Sequence, residues 1–422
     1  MMKTKKNDLN ILCNAFAIMG KVKKWRERFF ESCQEMVRHP SLSKGDICAK
    51  KVRELIHGLR NGRSVTEDKF FASLALIGAK KRWRFQFTEL CREIESDFHL
   101  PVRNIREEVT GPLIDALYSR SGLLKKELSC GTVIQFKYCS KIARDFILSP
   151  EAKPDHVWEP QTTKLLLRLS KVAKHVVIGG AYFGDQAILV AKALKESRGV
   201  CHVFDLNRQQ LSLLRRNARY NHLNNIRINC IGLWENDKTF LTLIGENSLA
   251  HSEPQISTFQ KKANRGFATT TLNQYGQKWN VPQCDLIMLD IEGGELCALK
   301  GADNYLSQPI GRAPRIVFEI HRHYVDWSSG LENIEIIKYL KSFGYHVFAI
   351  RDFQSNYPMG DGPIELIPPT RVYLKGPPHA FNLFAIKDVE FIKNDFFRIR
   401  YDVSPKLLLH KNPLLHFPIP DK

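Results

Sequence analysis

The stretch that most constrains this chain runs from His175 to Leu194. The apolar β-branched run Val176-Val-Ile178 passes directly into Gly179-Gly-Ala-Tyr-Phe-Gly184-Asp185, and then into Gln186-Ala-Ile-Leu-Val-Ala-Lys-Ala-Leu194 with helical spacing. Strand, tight glycine turn and helix N-terminus form the unit on which doubly wound α/β sheets hold nucleotide-like ligands. Gly180 and Gly184 can take positive φ and let the backbone approach a bound molecule. A second strand, Val200-Cys-His-Val-Phe204, ends in Asp205, where a carboxylate is placed to accept hydrogen bonds from ribose hydroxyls. Glycine turn and strand-end acid together predict a ligand with an adenosine half.

Phosphate signatures are missing. The glycines at 179, 180 and 184 do not make G-x-G-x-x-G, and Asp185 stands where a phosphate-cradling loop carries its lysine. A loop without a phosphate signature, followed by a ribose acid, suits S-adenosylmethionine, which has no phosphate.

A third strand with the same design follows. Leu286-Ile-Met-Leu289 ends in Asp290, with Glu292 two residues on, then Gly293-Gly294-Glu295 and a helix through Leu296, Leu299 and Leu306. A fourth, Arg315-Ile-Val-Phe-Glu-Ile-His321, delivers Glu319 and His321 to the same edge. Ligands of open α/β sheets sit outside the carboxyl ends of the strands, so these groups should share one crevice with Gly180 and Asp205. No metal-ligand spacing accompanies them, and no metal is expected.

On these residues the chain resembles the FkbM family of S-adenosylmethionine-dependent methyltransferases, over about Gly131 to Lys387. The resemblance is carried by Thr269-Thr-Thr-Leu-Asn273, by CDLIMLDIEGGELCALKGADNYL, by PRIVFEIHRHY and by GYHVFAI. It implies a Rossmann-like class I methyltransferase sheet with S-adenosylmethionine as cofactor. It implies that Gly180, Ala181, Tyr182 and Gly184 form the cofactor loop, that Asp205 with Leu206 serves the ribose, and that Gly232 and Leu233 border the adenine. Asp290 and Glu292 would face the methyl group and the acceptor. The chain departs from the family pattern in three places. Ile178 replaces an acid and Tyr182 an asparagine in D-x-G-A-N, Met288 replaces the lysine before D-x-E-G, and Asn273 replaces the acid after T-T-L.

The 422 residues leave room for more than one domain, and the expected division is a basic, mainly helical region at 1–127, the methyltransferase domain at 128–390 and a tail at 391–422. Roughly two-thirds of the net charge of +19 lies in residues 1–150, which predicts a partner of negative charge or a solvated helical face. Helices are expected over Ile47–Ile56, Asp68–Ile77, Arg82–Ile94 and Ile105–Tyr118. The first thirty residues read as an amphipathic helix rather than a signal peptide, because Asn10 and Asn14 interrupt the apolar core and basic residues follow it. No apolar run is long enough to span a bilayer. Ten cysteines without a C-x-x-C pair, among them Cys201, Cys230 and Cys284 in expected core strands, indicate free thiols and a cytoplasmic protein.

Further expectations are a strand from Val133, a helix over Trp158–Leu169 entered at Pro160, and a helix over Asn333–Ser342. A strand over Tyr345–Ile350 should be followed by a long Pro/Gly-rich loop at Arg351–His379 that closes over the acceptor. Phe381–Ile386 should return as a last antiparallel strand, with one more strand near Phe397–Tyr401. The expected chemistry is methyl transfer to a hydroxyl of a sugar, glycan or natural product, with the proton taken by His321, or by Asp290, Glu292 or Glu319 where burial raises the pKa. Two alternatives stay open: a nucleic-acid methyltransferase, favoured by the positive charge, and a binding module without activity. Against the first, Asp-Ile-Glu-Gly stands after Leu289 in place of a D/N-P-P-Y/F turn.

Overall fold

Nine short strands pair into one sheet in the computed structural model, which describes residues 14, 15, 17, 18, 22–38, 50, 53, 67–96, 102, 104–245, 251–254, 266–375 and 379–409. In chain order they are β1 His175–Gly179, β2 Val200–Phe204, β3 Ile226–Asn229, β4 Leu286–Leu289, β5 Arg315–His321, β6 His346–Ile350, β7 Ile364–Ile367, β8 Ala380–Ile386 and β9 Phe397–Ile399. Across the sheet the order is β9-β7-β6-β8-β5-β4-β1-β2-β3. β1 to β5 run parallel, and β8 lies antiparallel between β5 and β6. From β1 the chain first steps outward to β2 and β3, then returns to the other side of β1 with β4. The switch point is therefore between β1 and β4, where a doubly wound sheet opens its crevice.

The strands are apolar because helices cover them on both faces. These are α1 Pro160–Ser170, α2 Ala187–Ala193, α3 Arg208–Tyr220, α4 Leu272–Trp279, α5 Glu295–Lys300 and α6 Glu335–Ser342. Local signals set their starts. Pro160 opens α1, the Asn207 side chain accepts the Gln209 and Gln210 amides of α3, and Thr271 with Gln274 closes a capping box on α4. Val177, Phe204, Ile287, Leu289, Ile316 and Phe318 belong to one buried cluster. This sheet lies in a unit made of Lys125–Phe136, Lys153–Leu407 and Pro413–Lys422.

The other unit, Met1–Leu124, Lys137–Ala152 and Leu408–Asn412, is mainly helical where it is described. Glu67–Ala79 and Lys81–Glu95 correspond to the expected second and third helices. The expected Ile105–Tyr118 helix is present as a π-helical turn, Arg106–Thr110, running into Gly111–Tyr118. Lys23–Arg38 buries Trp25, Phe29, Cys33 and Met36 along one stripe. Most of the expected helix at Ile47–Ile56 and most of the first twenty-one residues lie outside the described residues. Buried charges here are paired, Arg106 with Glu95 at 2.6 Å and Arg144 with Glu107 at 2.7 Å. Among the described residues no helix is long and apolar enough to cross a membrane.

Three expectations need correction. The segment Arg351–His379 is not a featureless loop: Ile364–Ile367 is strand β7, paired antiparallel with β6, and Asp352–Phe353 pairs with Lys406–Leu407. Its prolines and glycines flank a buried apolar core that is only four residues long. Phe381–Ile386 is antiparallel as expected; it lies inside the sheet, and all seven residues of β8 are buried. The helix through Leu306 breaks at Gly301, where a Cβ would lie 2.1 Å from the Trp234 carbonyl oxygen, and resumes at Asp303–Leu306. Cys230 falls just beyond β3 and is exposed; all cysteines among the described residues are free.

Two departures from the family pattern turn out to be one. Ile178 of β1 and Met288 of β4 are register partners, so their side chains leave the sheet together on the same face, both buried. An acid and a lysine at these places would be an ion pair, and here an apolar pair of similar size replaces it. Exchanging both partners of a buried pair is tolerated, whereas exchanging one strands a charge. Ile178→Asp alone should therefore cost about 3–5 kcal/mol. Adding Met288→Lys should recover at least about 1 kcal/mol of it in a urea-unfolding double-mutant cycle. Purely additive costs would show that the two side chains do not meet.

Candidate active site

The glycine loop is held by its own amides. Gly180 N–H and Ala181 N–H donate to the Phe204 carbonyl at 2.9 and 3.3 Å, and Gly184 N–H donates to Ala181 O at 2.9 Å. Tyr182 N–H donates to Asp205 Oδ2 at 2.8 Å, while Asp205 Oδ1 accepts from Asn207 N–H at 2.7 Å. With these donors consumed, the loop offers little cradle to a phosphate. Asp205 thus ties the end of β2 to the loop, and each of its oxygens keeps a lone pair for a further donor. Tyr182 is left-handed, at φ 44°, a conformation that asparagine adopts more readily than most residues. The ring packs on Phe183, with centroids 4.7 Å apart.

Gly180 has no alternative at its position. A Cβ there would lie 1.7 Å from the Asp290 carbonyl oxygen, and φ is 79°. The Asp290 N–H closes the approach by donating to Gly179 O at 3.0 Å. At the other side of the loop, Leu206 Cδ2 would be 3.7 Å from a Cβ on Gly232, and Leu233 is buried next to it. The structure therefore brings Gly180, Ala181, Tyr182, Gly184, Asp205, Leu206, Gly232 and Leu233 to the carboxyl edge of β1 and β2 and the segment just after β3.

Asp290, Glu292 and Glu319 come together at the ends of β4 and β5. One carboxylate oxygen from each lies within 4.8 Å of the others, close enough to share a single cation. Two carboxylates this close repel one another unless a proton or a cation lies between them. Glu292 is left-handed at φ 54° and Gly293 follows at 101°. This strained turn is clamped by Glu295, whose oxygens accept from Ile291 N–H at 2.9 Å and Gly293 N–H at 3.0 Å. Tyr324 packs over Gly293, where a Cβ would stand 2.8 Å from its Cγ.

Burial pushes all these carboxyls up, and mutual repulsion adds to it. Asp185 rises to about 7 through burial and the charge of Asp290, and Glu295 rises to about 7 through burial. Asp290, Glu292 and Glu319 all rise, burial first; the charge of Asp290 adds to the rise of Glu292 and Glu319, and that of Asp205 to the rise of Asp290. Glu159, just before α1, is driven up by burial and by Asp352, Asp290 and Asp185. Among the described residues no lysine or arginine forms an ion pair with any of them.

His321 lies at the end of β5, stacked on His323 with centroids 4.7 Å apart. Its Nδ1 accepts the His323 N–H at 3.1 Å, which leaves the ring proton on Nε2. Burial, then His323, His379 and Lys406, holds it down at about 4, so the ring is neutral at physiological pH.

Sequence reading passed over Glu159, Asp185, Glu295, Tyr324 and Asn382. Asn382 had a signal, being the single polar residue inside the apolar run Phe381–Ile386. It stands opposite Glu319 in register and donates from Nδ2 to Glu159 Oε2 at 2.7 Å.

Residues 179–347 match the family model described as Methyltransferase FkbM domain. Over these residues the chain is similar to FkbM methyltransferases. Strands β1 to β6, apart from the first four residues of β1 and the last three of β6, fall inside the FkbM match, as do the glycine loop and the acidic cluster. No curated protein matches the chain. Among solved structures, a SAM-dependent methyltransferase from Agrobacterium tumefaciens is similar at 11% identity and TM-score 0.32, covering 63% of this chain and 70% of that one. A methyltransferase FkbM from Methylobacillus flagellatus KT is similar at 15% identity and TM-score 0.30, covering 51% of this chain and 44% of that one. An O-methyltransferase from Bacillus cereus is similar at 12% identity and TM-score 0.29, covering 56% and 84%.

A consequence for stability follows from the raised carboxyls of the FkbM domain. A carboxyl whose folded pKa lies above its unfolded value stabilises the fold while protonated, and that contribution is lost as pH rises through the folded pKa. The ligand-free protein should therefore melt at a lower temperature at pH 8.5 than at pH 5.5, and Glu292→Gln should flatten the decline. A melting temperature that rises across this interval would show that the cluster is not held protonated.

Proposed function

We propose that the chain transfers a methyl group from S-adenosylmethionine to a hydroxyl oxygen of a sugar, glycan or natural product. The observation that carries this reading is the set of buried (Glu159, Asp185) and half-buried (Asp290, Glu319) carboxylates around the β1/β4 switch point without a cationic side chain to balance them. Such a crevice suits a ligand that brings its own positive charge. S-adenosylmethionine carries a sulfonium and an ammonium, has no phosphate to ask of the glycine loop, and supplies when bound an electrophilic methyl group.

In this reading Asp205 accepts the ribose hydroxyls while keeping the loop in place, and Leu206, Gly232 and Leu233 flank the adenine. The acceptor hydroxyl enters beside Glu292 and Tyr324. Holding the two reactants in line removes much of the barrier by positioning alone. Glu292 takes the hydroxyl proton. Its carboxyl is held up to about 8 by burial and by the charges of Asp290 and Glu295, within the range where a general base works near neutral pH. His321, neutral and with its proton on Nε2, is suited to donate a hydrogen bond to the acceptor and so to orient it. A hydroxyl acceptor is favoured over a nucleobase amine because Asp290-Ile-Glu-Gly follows β4.

Glu292→Gln should lower turnover by roughly 10²–10⁴-fold, with little change in cofactor affinity. In the wild type kcat/KM should rise with pH as Glu292 ionises, then level off. Label from S-adenosylmethionine, incubated with protein and cell extract, should enter glycan or small molecule. Label confined to RNA, or full activity of Glu292→Gln with a genuine acceptor, would overturn the proposal.

A further inference from the structure

Most buried acids around the crevice have a partner that explains them. Asp205 ties the loop, Glu295 clamps the turn after β4, and Asp352 caps α1 by accepting the Gln161 and Thr162 amides at 2.9 and 2.7 Å. Glu159 has no such task. It occupies the N-cap position of α1, yet its side chain accepts none of the helix amides, because Asp352 has taken that place. Its backbone is left-handed, φ 49° and ψ 83°, a conformation that strains a non-glycine residue. It is 3% exposed. The Glu159 N–H donates to Ser355 O at 3.1 Å and its carbonyl accepts from Thr163 N–H at 2.8 Å, so the strained backbone is held from both sides.

What the carboxylate touches is Asn382 Nδ2, at 2.7 Å. That contact fixes the orientation of the Asn382 amide, whose other nitrogen-borne bond goes to Thr162 Oγ1 at 3.2 Å. Asn382 Oδ1 is left buried with no hydrogen-bond partner, although the residue is only 2% exposed. A buried acceptor without a donor is destabilising and calls for an explanation. Asn382 is the register partner of Glu319, so the Glu159–Asn382 pair borders the acidic cluster at β4 and β5. β1 itself brings no acid, since Ile178 is apolar and buried.

We infer that Glu159 receives the ammonium group of the methionine half of the cofactor, with Asn382 Oδ1 as a second acceptor. This rests on the S-adenosylmethionine reading above. An ammonium has three donors and no acceptor, and a carboxylate beside an amide oxygen satisfies two of them. The strained turn at Glu159 then serves to point a side chain that would otherwise cap its own helix.

Calorimetry with two ligands tests the assignment. S-adenosylhomocysteine keeps the ammonium, and 5′-methylthioadenosine keeps the adenosine half but lacks the amino-acid moiety. Glu159→Gln should weaken S-adenosylhomocysteine about 10- to 100-fold and leave 5′-methylthioadenosine unchanged. Asp205→Ala, acting on the ribose, should weaken both. Should Glu159→Gln fail to fold, Glu159→Asp, which withdraws the charge by one methylene, has to show the same loss confined to S-adenosylhomocysteine. Unchanged S-adenosylhomocysteine affinity in a folded Glu159 variant, or equal loss of both ligands, would overturn the assignment. If the wild type binds neither ligand, it is the cofactor reading that fails.

Discussion

The site depends on one close approach, that of the loop after β1 to the loop after β4. Gly180 lies against the Asp290 carbonyl with no room for a Cβ, and the Asp290 amide bonds back to Gly179. Because β1 and β4 are neighbours at the switch point, this contact locks the glycine loop to the acid-bearing loop. From there the placement propagates along the chain. Asp290 is fixed first, the left-handed pair Glu292 and Gly293 turns the backbone, and Glu295 holds the turn by accepting two of its amides. Glu295 thus serves as a clamp three residues from the Glu292 proposed as a base, and the two acids of Glu-Gly-Gly-Glu have different tasks.

The chain treats buried charge in two different ways. In the helical unit Arg106 meets Glu95 and Arg144 meets Glu107, so each desolvated ion has a partner. At the sheet edge Asp185, Asp290, Glu292 and Glu319 are desolvated together without a cation, and part of the cost is met by keeping protons on them. An arrangement of this kind weakens the ligand-free fold and strengthens the bound one, since a cationic ligand that binds only the native state adds its binding free energy to stability. Groups held near neutrality by such a balance are also those able to exchange a proton during turnover.

Much of this was legible in the sequence because strand ends were marked by composition. Leu286–Leu289 and Arg315–His321 lie where the apolar runs placed them, each delivering its acids to the edge. β7 was hidden because its four residues lie among prolines and glycines, and its pairing with β6 is a tertiary event that no local pattern announces. Glu159 was hidden for a related reason. Beside Pro160 it reads as an ordinary helix-start residue, and only the competition from Asp352, distant in sequence, frees its side chain from capping. The tautomer of His321 was equally out of reach, since it is set by the backbone amide of His323 folding back onto Nδ1.

The exchange of charge within the domain joins these observations. The apolar pair Ile178 and Met288 removes from the sheet interior an acid and a base together, which leaves no orphaned ion behind. What it also removes is a carboxylate next to the glycine loop. The acids that remain stand around the rim, Asp185 at the start of α2, Asp290 after β4 and Glu159 before α1, each on a different element. Negative charge has thereby moved from the floor of the crevice to its walls, where it is buried against neighbouring loops rather than paired within the sheet. A cationic ligand of the kind proposed would be met by acids from three separate elements, so its charge would be shared between loops and not carried by the sheet.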